Sequence, residues 1–551
     1  MNRVLPVLRD WNRFFWTGGE DGRLRFQHCT ACDALQHPAA PVCRRCGAGG
    51  LDVQPVSGRG VVQSCTVNVQ RWSADQTTPF VVAVVAIDED PRVRLTTNVV
   101  GCDPDAVHVG LPVRVVFEHV DDVWVPLFEP AGGPPAELPD ECAELERMRS
   151  VRPMARSHKF EDDVALTGVG RSRIGRKLGV APLALTVEAI RRAVADAGLA
   201  MDDIDGLSTY PASPAEGGYA EGGVTAVESV LGLRPTWHNG GHETPGACGS
   251  LVAAMLAVSA GLCRHVVCFR TVWQSTFTDL ARRGEVTGGA TGAAPRRVSG
   301  PDEHLAPYGV QAVHTVAMAA SQHMARYGTT REALGWIALN ARANAALDPT
   351  ALYREPLTMD EYLAARVIST PFGLYDCDAL CDGAVAVVVS AADAAAGTPH
   401  PVLVEAVGMQ VTERMEWDQG TLSHEPHVLG PAAHLWTRTT LRPDDIDVAE
   451  LYDGFTFNCL SWIEALGFCE IGEAKDFLDG GRNIARDGLL PLNTHGGQLS
   501  HGRTHGMGLV HEAVTQLRGD AGPRQVDGAA TAVVTSGGLT PGGVVLLRRD
   551  R

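Results

Sequence analysis

Asp163-Val-Ala-Leu-Thr-Gly-Val-Gly170 has a degenerate second copy in Pro401-Val-Leu-Val-Glu-Ala-Val-Gly408. After each copy comes a helical stretch and then the phrase Asp-Asp-Ile-Asp, at 202–205 and again at 444–447. An apolar, strand-like segment follows each phrase, and each half closes on a strong β run, 385–389 and 544–547. Matching phrases in one fixed order are the signature of internal duplication. Alternating helix and strand implies parallel or mixed sheets covered by helical layers. The reading is a duplicated α/β fold with halves 161–400 and 401–551 about a pseudo-dyad. A site is then expected at the strand and loop ends where the halves meet.

The first 160 residues differ in kind. Residues 1–50 read as a short helix and a metal ribbon. Cys29-Thr-Ala-Cys32 and Cys43-Arg-Arg-Cys46 are two knuckles separated by ten residues. Four thiolates at that spacing hold one tetrahedral zinc, and a closed four-cysteine site is structural. Residues 51–130 hold short β-rich runs at 61–62, 66–69, 80–87, 94–100 and 113–117, which suit a small barrel such as an OB fold. Residues 131–160 read as a linker with one charged helix.

Composition narrows the class. The chain has 551 residues, 65 acidic and 47 basic side chains, and a formal charge of −18. Hydrophobic residues at 45% and charged residues at 20% are globular values, so disorder and coiled coil are excluded as whole-chain readings. The acidic balance opposes general nucleic-acid binding. Ten of the 14 cysteines are scattered, as in a reducing compartment. There is neither a signal peptide nor an apolar run of about 20 residues. These features predict a soluble cytoplasmic protein without membrane contact. Neither a P-loop nor a strand-bound dinucleotide fingerprint is present, so no nicotinamide or flavin is expected.

The ordered phrases Asp202-Asp-Ile-Asp-Gly-Leu207, Tyr375-Asp-Cys-Asp378, Asp382-Gly-Ala-Val-Ala386, Glu450-Leu-Tyr-Asp-Gly-Phe455, Asn493-Thr-His-Gly-Gly-Gln-Leu-Ser500 and His505-Gly-Met-Gly508 span nearly all of 161–551. Together they resemble the thiolase superfamily, in its lipid-transfer-protein branch with the bacterial steroid side-chain aldolases. Residues 1–130 are similar to the zinc-ribbon/OB domains that accompany acyl-CoA enzymes of this branch. The resemblance implies a duplicated thiolase-like five-layer fold, preceded by a zinc ribbon and a small β-barrel. It also implies an acyl-CoA substrate, a homodimer through the thiolase-like domains, and an enoyl-CoA hydratase as a possible partner of the ribbon/OB unit.

A covalent thiolase needs a cysteine nucleophile, a histidine, an asparagine and a second cysteine. The matching positions here fall near Thr244 and on Arg503, Tyr452 and Thr535. All four are replaced, so covalent acyl transfer is poorly supported. Retro-aldol cleavage of a β-hydroxyacyl-CoA needs no nucleophile. It needs a base for the hydroxyl and donors for the thioester enolate. The chain has only three lysines, Lys159, Lys177 and Lys475, each in a polar or loop-like segment, which argues against a Schiff base.

Tyr452 is the first candidate for acid/base work, at the end of an apolar segment. Asp453 either orients a donor or caps the helix expected at 455–466. Tyr308, after the Gly/Pro/Arg-rich loop 284–307, either donates to substrate or anchors that loop. His505 and His495 are candidates for proton donation or thioester contact. Arg282, Arg283, Arg296 and Arg297 either meet the phosphates of coenzyme A or form a solvated loop. Two rivals remain open. One is an acyltransferase or condensing enzyme using Cys248. The other is a non-catalytic acyl-CoA-binding scaffold for a hydratase.

Overall fold

The computed structural model describes residues 3–72, 76–155, 157–210, 218–241, 243–286, 297–395, 397–414, 416–537 and 541–550. The two opening phrases of the repeat form strands Val164–Arg171 and Val402–Gly408. These lie side by side and antiparallel at the centre of a nine-stranded sheet, with Ala165 opposite Leu403 and Leu166 opposite Val402. Outward from Val164–Arg171 come Asp382–Ala391, His265–Trp273, Gly206–Thr209 and the edge strand Trp237–Asn239. Outward from Val402–Gly408 come Gly543–Arg549, Thr531–Ser536 and Val448–Glu450. Read from the dyad, both halves run in the same order: opening strand, closing strand, third, second. The second half's counterpart of Trp237–Asn239 shrinks to one parallel bridge between Ala449 and Leu492.

The repeated Asp-Asp-Ile-Asp phrase performs one job twice. Its second aspartate closes a single turn, Asp203 on the amide of Ala200 and Asp445 on that of Arg442, each at 2.8 Å. Its last aspartate ties the following strand to its neighbour. Asp205 accepts from Arg264 and His265 N–H at 2.9 Å. Asp447 accepts from Ala530 and Thr531 N–H at 2.8 and 3.0 Å.

Helices fill three layers around the two half-sheets. Gly246–Ser259 and Met507–Arg518 lie inside, against strands of both halves. Gly246–Ser259 is apolar on nearly all sides, as burial between two sheets demands. Pro182–Asp196 covers the outer face of the first half, and Leu429–Trp436 that of the second. The arrangement is the expected five-layer one. The glycines ending the two opening phrases explain the outer contacts. A Cβ at Gly170 would lie 2.3 Å from the Ala193 nitrogen, and one at Gly408 would lie 2.0 Å from the Pro431 oxygen. Helix backbone rests directly on strand backbone in both places.

The barrel comprises Arg59–Asn68, Phe80–Ile87, Arg94–Thr97, Pro112–Val120 and Val123–Pro130. It closes where Val100 N–H meets the Phe128 carbonyl and Phe128 N–H that of Asn98, at 2.8 and 3.1 Å. Its sheet is extended by Val367–Ser369 from the α/β core, through Asn68 and Ser369. Helix Ala312–Tyr327 packs on Arg59–Asn68, and Ser64 Oγ donates to the Met318 carbonyl. The stretch read as linker also does more than connect. Its helix Cys142–Arg149 buries Leu145 and Met148 in the large core. Among the described residues, no helix is long and apolar enough to cross a membrane.

Gly170→Ala and Gly408→Ala should each destabilise the α/β core by about 1–3 kcal/mol, because neither backbone can yield. Gly49→Ala, whose Cβ meets nothing within 4 Å, should be neutral. Thermal unfolding midpoints check this, and unchanged midpoints for both core variants would contradict the helix-on-strand contact.

Candidate active site

Strand Val448–Glu450 delivers Leu451, Tyr452 and Asp453 to its end. Two tethers hold them. Leu451 and Asn493 exchange hydrogen bonds, N–H to Oδ1 at 2.7 Å and Nδ2 to carbonyl at 2.9 Å. Tyr452 N–H donates to Thr535 Oγ1 at 2.8 Å. Thr535 stands at the position matched to the family's late cysteine, and its hydroxyl is spent on backbone.

Asp453 is fully buried. Its carboxylate accepts the amides of Gln498 and Leu499 at 2.9 and 3.4 Å. Burial raises its pKa to about 7 against the pull of those amides. It therefore caps the wide turn Gly497–His501, not the helix Thr456–Ala465 for which it was a candidate. That helix's leading amide, Phe455 N–H, goes to Asn458 Oδ1 at 2.7 Å. Gly497 is required here: φ is +57° and a Cβ would lie 1.9 Å from Asp453 Oδ2.

The rest of segment 493–506 is pinned by buried acids and their partners, and burial pushes the Glu450 carboxyl well above the usual range. Thr494 donates through N and Oγ1 to Glu450 Oε1 at 2.9 and 2.8 Å. His501 Nε2 accepts from Arg171 at 2.9 Å, and Arg171 pairs with Asp348 at 3.2 Å. Arg503 Nε lies 2.9 Å from Asp378 Oδ2. His505 Nδ1 accepts from Arg270 Nη2. Burial pushes His495 and His501 down to about 4, and their rings stand 4.8 Å apart. Among the described residues, His495, His501 and His505 form no metal-holding group.

Tyr452 is buried beside the Arg503–Asp378 pair. Burial raises its phenol above the ordinary range; the Arg503 charge and a Gln498 hydrogen bond favour the phenolate, while Asp378 and Glu425 oppose it. Asp378 is itself raised to about 6 by burial, against the pull of Arg503. Cys248 sits in the first turn of Gly246–Ser259, its thiol donating to the Val534 carbonyl at 3.6 Å. Burial lifts that thiol to about 12, so the helix terminus does not deliver a thiolate. Thr244 precedes the helix, whose cap position is Pro245.

Other candidates lie elsewhere. Tyr308 is buried in the barrel core against Trp16, and its carbonyl accepts from Asn98 Nδ2 at 3.0 Å. The structure does not bring it to Tyr452; it anchors the loop instead. Arg297 is committed to Asp121, Asp122 and the Pro6 carbonyl, so it clips the N-terminal strand Leu5–Pro6 to the barrel. Arg283 pairs with Asp279 and Glu285, Arg282 is exposed on the same helix, and Arg296 lies outside the described residues. Arg270, Asp378 and Gln498 were not on the candidate list. Arg270 had a signal, a lone charge inside the apolar run Val266-Val-Cys-Phe-Arg-Thr-Val272.

The four ribbon cysteines converge as their spacing predicts. Their sulfurs all lie within 4.8 Å of one another, with Cys29–Cys46 and Cys32–Cys43 at 3.6 Å. A tetrahedral ion with Zn–S bonds of about 2.3 Å sets sulfurs about 3.8 Å apart, so the donors fit zinc.

Two α/β halves related by a pseudo-dyad, with Tyr452 and its buried neighbours at a strand end, define a thiolase-like enzyme. Three family models match the chain: thiolase C-terminal domain-like over 430–546, the ChsH2 C-terminal OB-fold domain over 53–118, and the ChsH2 rubredoxin-like zinc ribbon domain over 16–52. A steroid side-chain-cleaving aldolase of Thermomonospora curvata is 33% identical over 398 residues, covering 70% of this chain and 98% of the relative. A 17-hydroxy-3-oxo-4-pregnene-20-carboxyl-CoA lyase of Mycobacterium tuberculosis is 34% identical over 69% of this chain and 98% of its own length. The solved Ltp2-ChsH2(DUF35) aldolase has a TM-score of 0.62 and 32% identity, covering 71% of this chain and 98% of that one. Within the thiolase-like class, the chain belongs to the family of steroid side-chain-cleaving aldolases.

Cys248, buried and protonated, should resist iodoacetamide in the native protein, and Cys248→Ala should keep its activity. Intact-mass mapping after labelling checks both; activity lost in step with Cys248 labelling would restore the acyltransferase reading.

Proposed function

We propose that the pocket cleaves a β-hydroxyacyl-CoA into a ketone or aldehyde and a shorter acyl-CoA, with no covalent enzyme intermediate. The names of the two relatives support a bulky steroid-like side chain as the substrate class. Tyr452 at a strand end, with Arg503 and Asp378 beside it, carries the residue assignment. Tyr452 takes the proton of the β-hydroxyl. The O–H electrons form the carbonyl, the Cα–Cβ bond breaks, and its electron pair enters the thioester as an enolate. The phenol then returns the proton to Cα, so no oxidant, reductant or free CoA is consumed. Each lysine lies near an acid, Lys159 by Glu405, Lys177 by Asp279 and Lys475 by Asp476, which supports a route without a Schiff base.

The ribbon holds one structural zinc on Cys29, Cys32, Cys43 and Cys46. All four donors are protein thiolates, so the ion's role is to fold the ribbon. The functional unit is a homodimer. Strand Trp237–Asn239 is an edge of the nine-stranded sheet with one neighbour, and Leu256 and Leu262 near it are 49% and 54% exposed. Such an edge is completed by a second copy. Native mass spectrometry should show two chains and two zinc ions, and a metal-free monomer would contradict both assignments.

Tyr452→Phe should abolish cleavage while leaving the unfolding midpoint unchanged. The base form of Tyr452 gains population as pH rises, so kcat/KM should climb on the alkaline side. Removing a cation raises a phenol's pKa, so Arg503→Gln should move that limb to higher pH. Removing an anion lowers it, so Asp378→Asn should move the limb to lower pH. A pH–rate profile unmoved in both variants would remove Tyr452 as the titrating group.

A further inference from the structure

Arg270 is a cation in an unexpected place. It stands on the central part of strand His265–Trp273, paired in register with Val385, and only 3% of its surface is exposed. Its guanidinium lies over the Tyr210 ring at 5.9 Å, and its Nη2 reaches His505 Nδ1. Its Nε has no acceptor among the described residues. Burial opposes its charge, and the Glu221 carboxylate is the largest influence in its favour.

An arginine can only donate. Nδ1 of His505 must therefore present its lone pair to Arg270, and the neutral ring then carries its proton on Nε2. A doubly protonated ring would set two donors face to face. Burial and the charges of Arg270 and Arg503 also push this histidine well below its usual range. The tautomer is thus fixed by contact. The consequence is a buried Nε2–H with no acceptor among the described residues. Orphan buried donors are rare, and each calls for an account of its acceptor, which a bound ligand can supply.

The position of that donor is also determined. His505 adopts φ +51°, a left-handed conformation unusual for a residue with a Cβ. Its ring stacks on the half-exposed Tyr219 with centroids 5.5 Å apart, which fixes its plane. The adjoining Gly506 places the turn against the pocket: a Cβ there would lie 3.6 Å from both Tyr452 Cδ2 and Ala247 Cβ. His505 thus adjoins in sequence the glycine that packs on the ring of the proposed base. Its Nε2–H is an unmet donor, which suits an oxygen that gains negative charge.

We propose that Nε2–H of His505 holds the thioester carbonyl oxygen of the acyl-CoA and stabilises the enolate formed on it. Arg270 is the positioning residue that sets the tautomer. The assignment rests on the acyl-CoA cleavage proposed above and names how its developing charge is held.

The test needs no turnover. Propionyl-CoA labelled with carbon-13 at the thioester carbonyl has no β-hydroxyl and cannot be cleaved. Its carbonyl infrared band should fall to lower wavenumber on the wild-type protein. The shift should vanish in His505→Ala and in Arg270→Met, and return in Arg270→Lys, which restores a donor to Nδ1. With a cleavable β-hydroxyacyl-CoA, kcat of His505→Ala should fall about 10²–10³-fold with little change in KM. Binding of propionyl-CoA to the wild type with an unmoved band overturns this proposal alone, whatever becomes of the variants. A shift that survives in folded His505→Ala overturns it too. Failure of propionyl-CoA to bind at all, by calorimetry, overturns the acyl-CoA reading and this proposal with it.

Discussion

The pocket depends on keeping carboxylates ionised or hydrogen-bonded where water cannot reach them. Segment 493–506 is not a regular element, and it lies over the strand end that bears Tyr452. Four acids hold it down: Glu450 through Thr494, Asp453 through two amides, Asp348 through His501 and Arg171, and Asp378 through Arg503. Each acid comes from a different part of the chain or a different turn, and each meets a partner on the loop. Removing one partner of a buried charge costs far more than the pair contributes, so the loop is held by the penalty of letting go. A site whose charged and hydrogen-bonding groups are held this way is organised before substrate arrives, which is what stabilising an enolate requires.

The same arrangement explains how a thiolase-like pocket works without its thiolate. A cysteine nucleophile needs a lowered pKa, and Cys248 is raised by burial and occupied with a backbone carbonyl. The hydroxyl of Thr535 serves the backbone of Tyr452, and Arg503 supplies a charge where the family has an imidazole. The four replacements act together. Under the proposed cleavage, Tyr452 supplies the phenol, Arg503 favours its phenolate, Thr535 supports the main chain, and no nucleophile is needed. Cleavage driven by proton removal and enolate stabilisation needs only these.

The duplication was legible because it is local. Asp-Asp-Ile-Asp fixes one turn and one strand start in each half, and the terminal glycines mark where helix backbone meets strand, so both leave a pattern in consecutive residues. The two cysteine knuckles were legible for the same reason, and the phrase Val448–Leu451 placed Tyr452 at a strand end. Tyr308 and Arg297 were not. Arg297 lies in the Gly/Pro/Arg-rich loop 284–307 and Tyr308 follows it, yet their partners are Asn98, Trp16, Asp121 and Asp122, far earlier in the chain. Arg270 and His505 are likewise 235 residues apart, and no spacing rule joins them. A lone arginine inside a β run of valines was the one sign that a buried charge had a purpose.

The placement of Tyr308 and Arg297 has its own logic. A barrel and ribbon tethered by 131–160 alone would hold only a loose position relative to the α/β core. Instead the core reaches into the barrel at three places: strand Val367–Ser369 extends its sheet, helix Ala312–Tyr327 packs across it, and Tyr308 fills its interior. The barrel reaches back through Asp418, which accepts from Thr96, and through Arg94, which donates to the Gly420 carbonyl. Association within one chain already spares the entropy of bringing two bodies together. These contacts then remove the remaining freedom of orientation, and they do so with the segment 297–308 that would otherwise be free to move. Segment 297–308 is therefore a clamp in this protein, and Arg297, which read as a phosphate ligand, is one of its rivets.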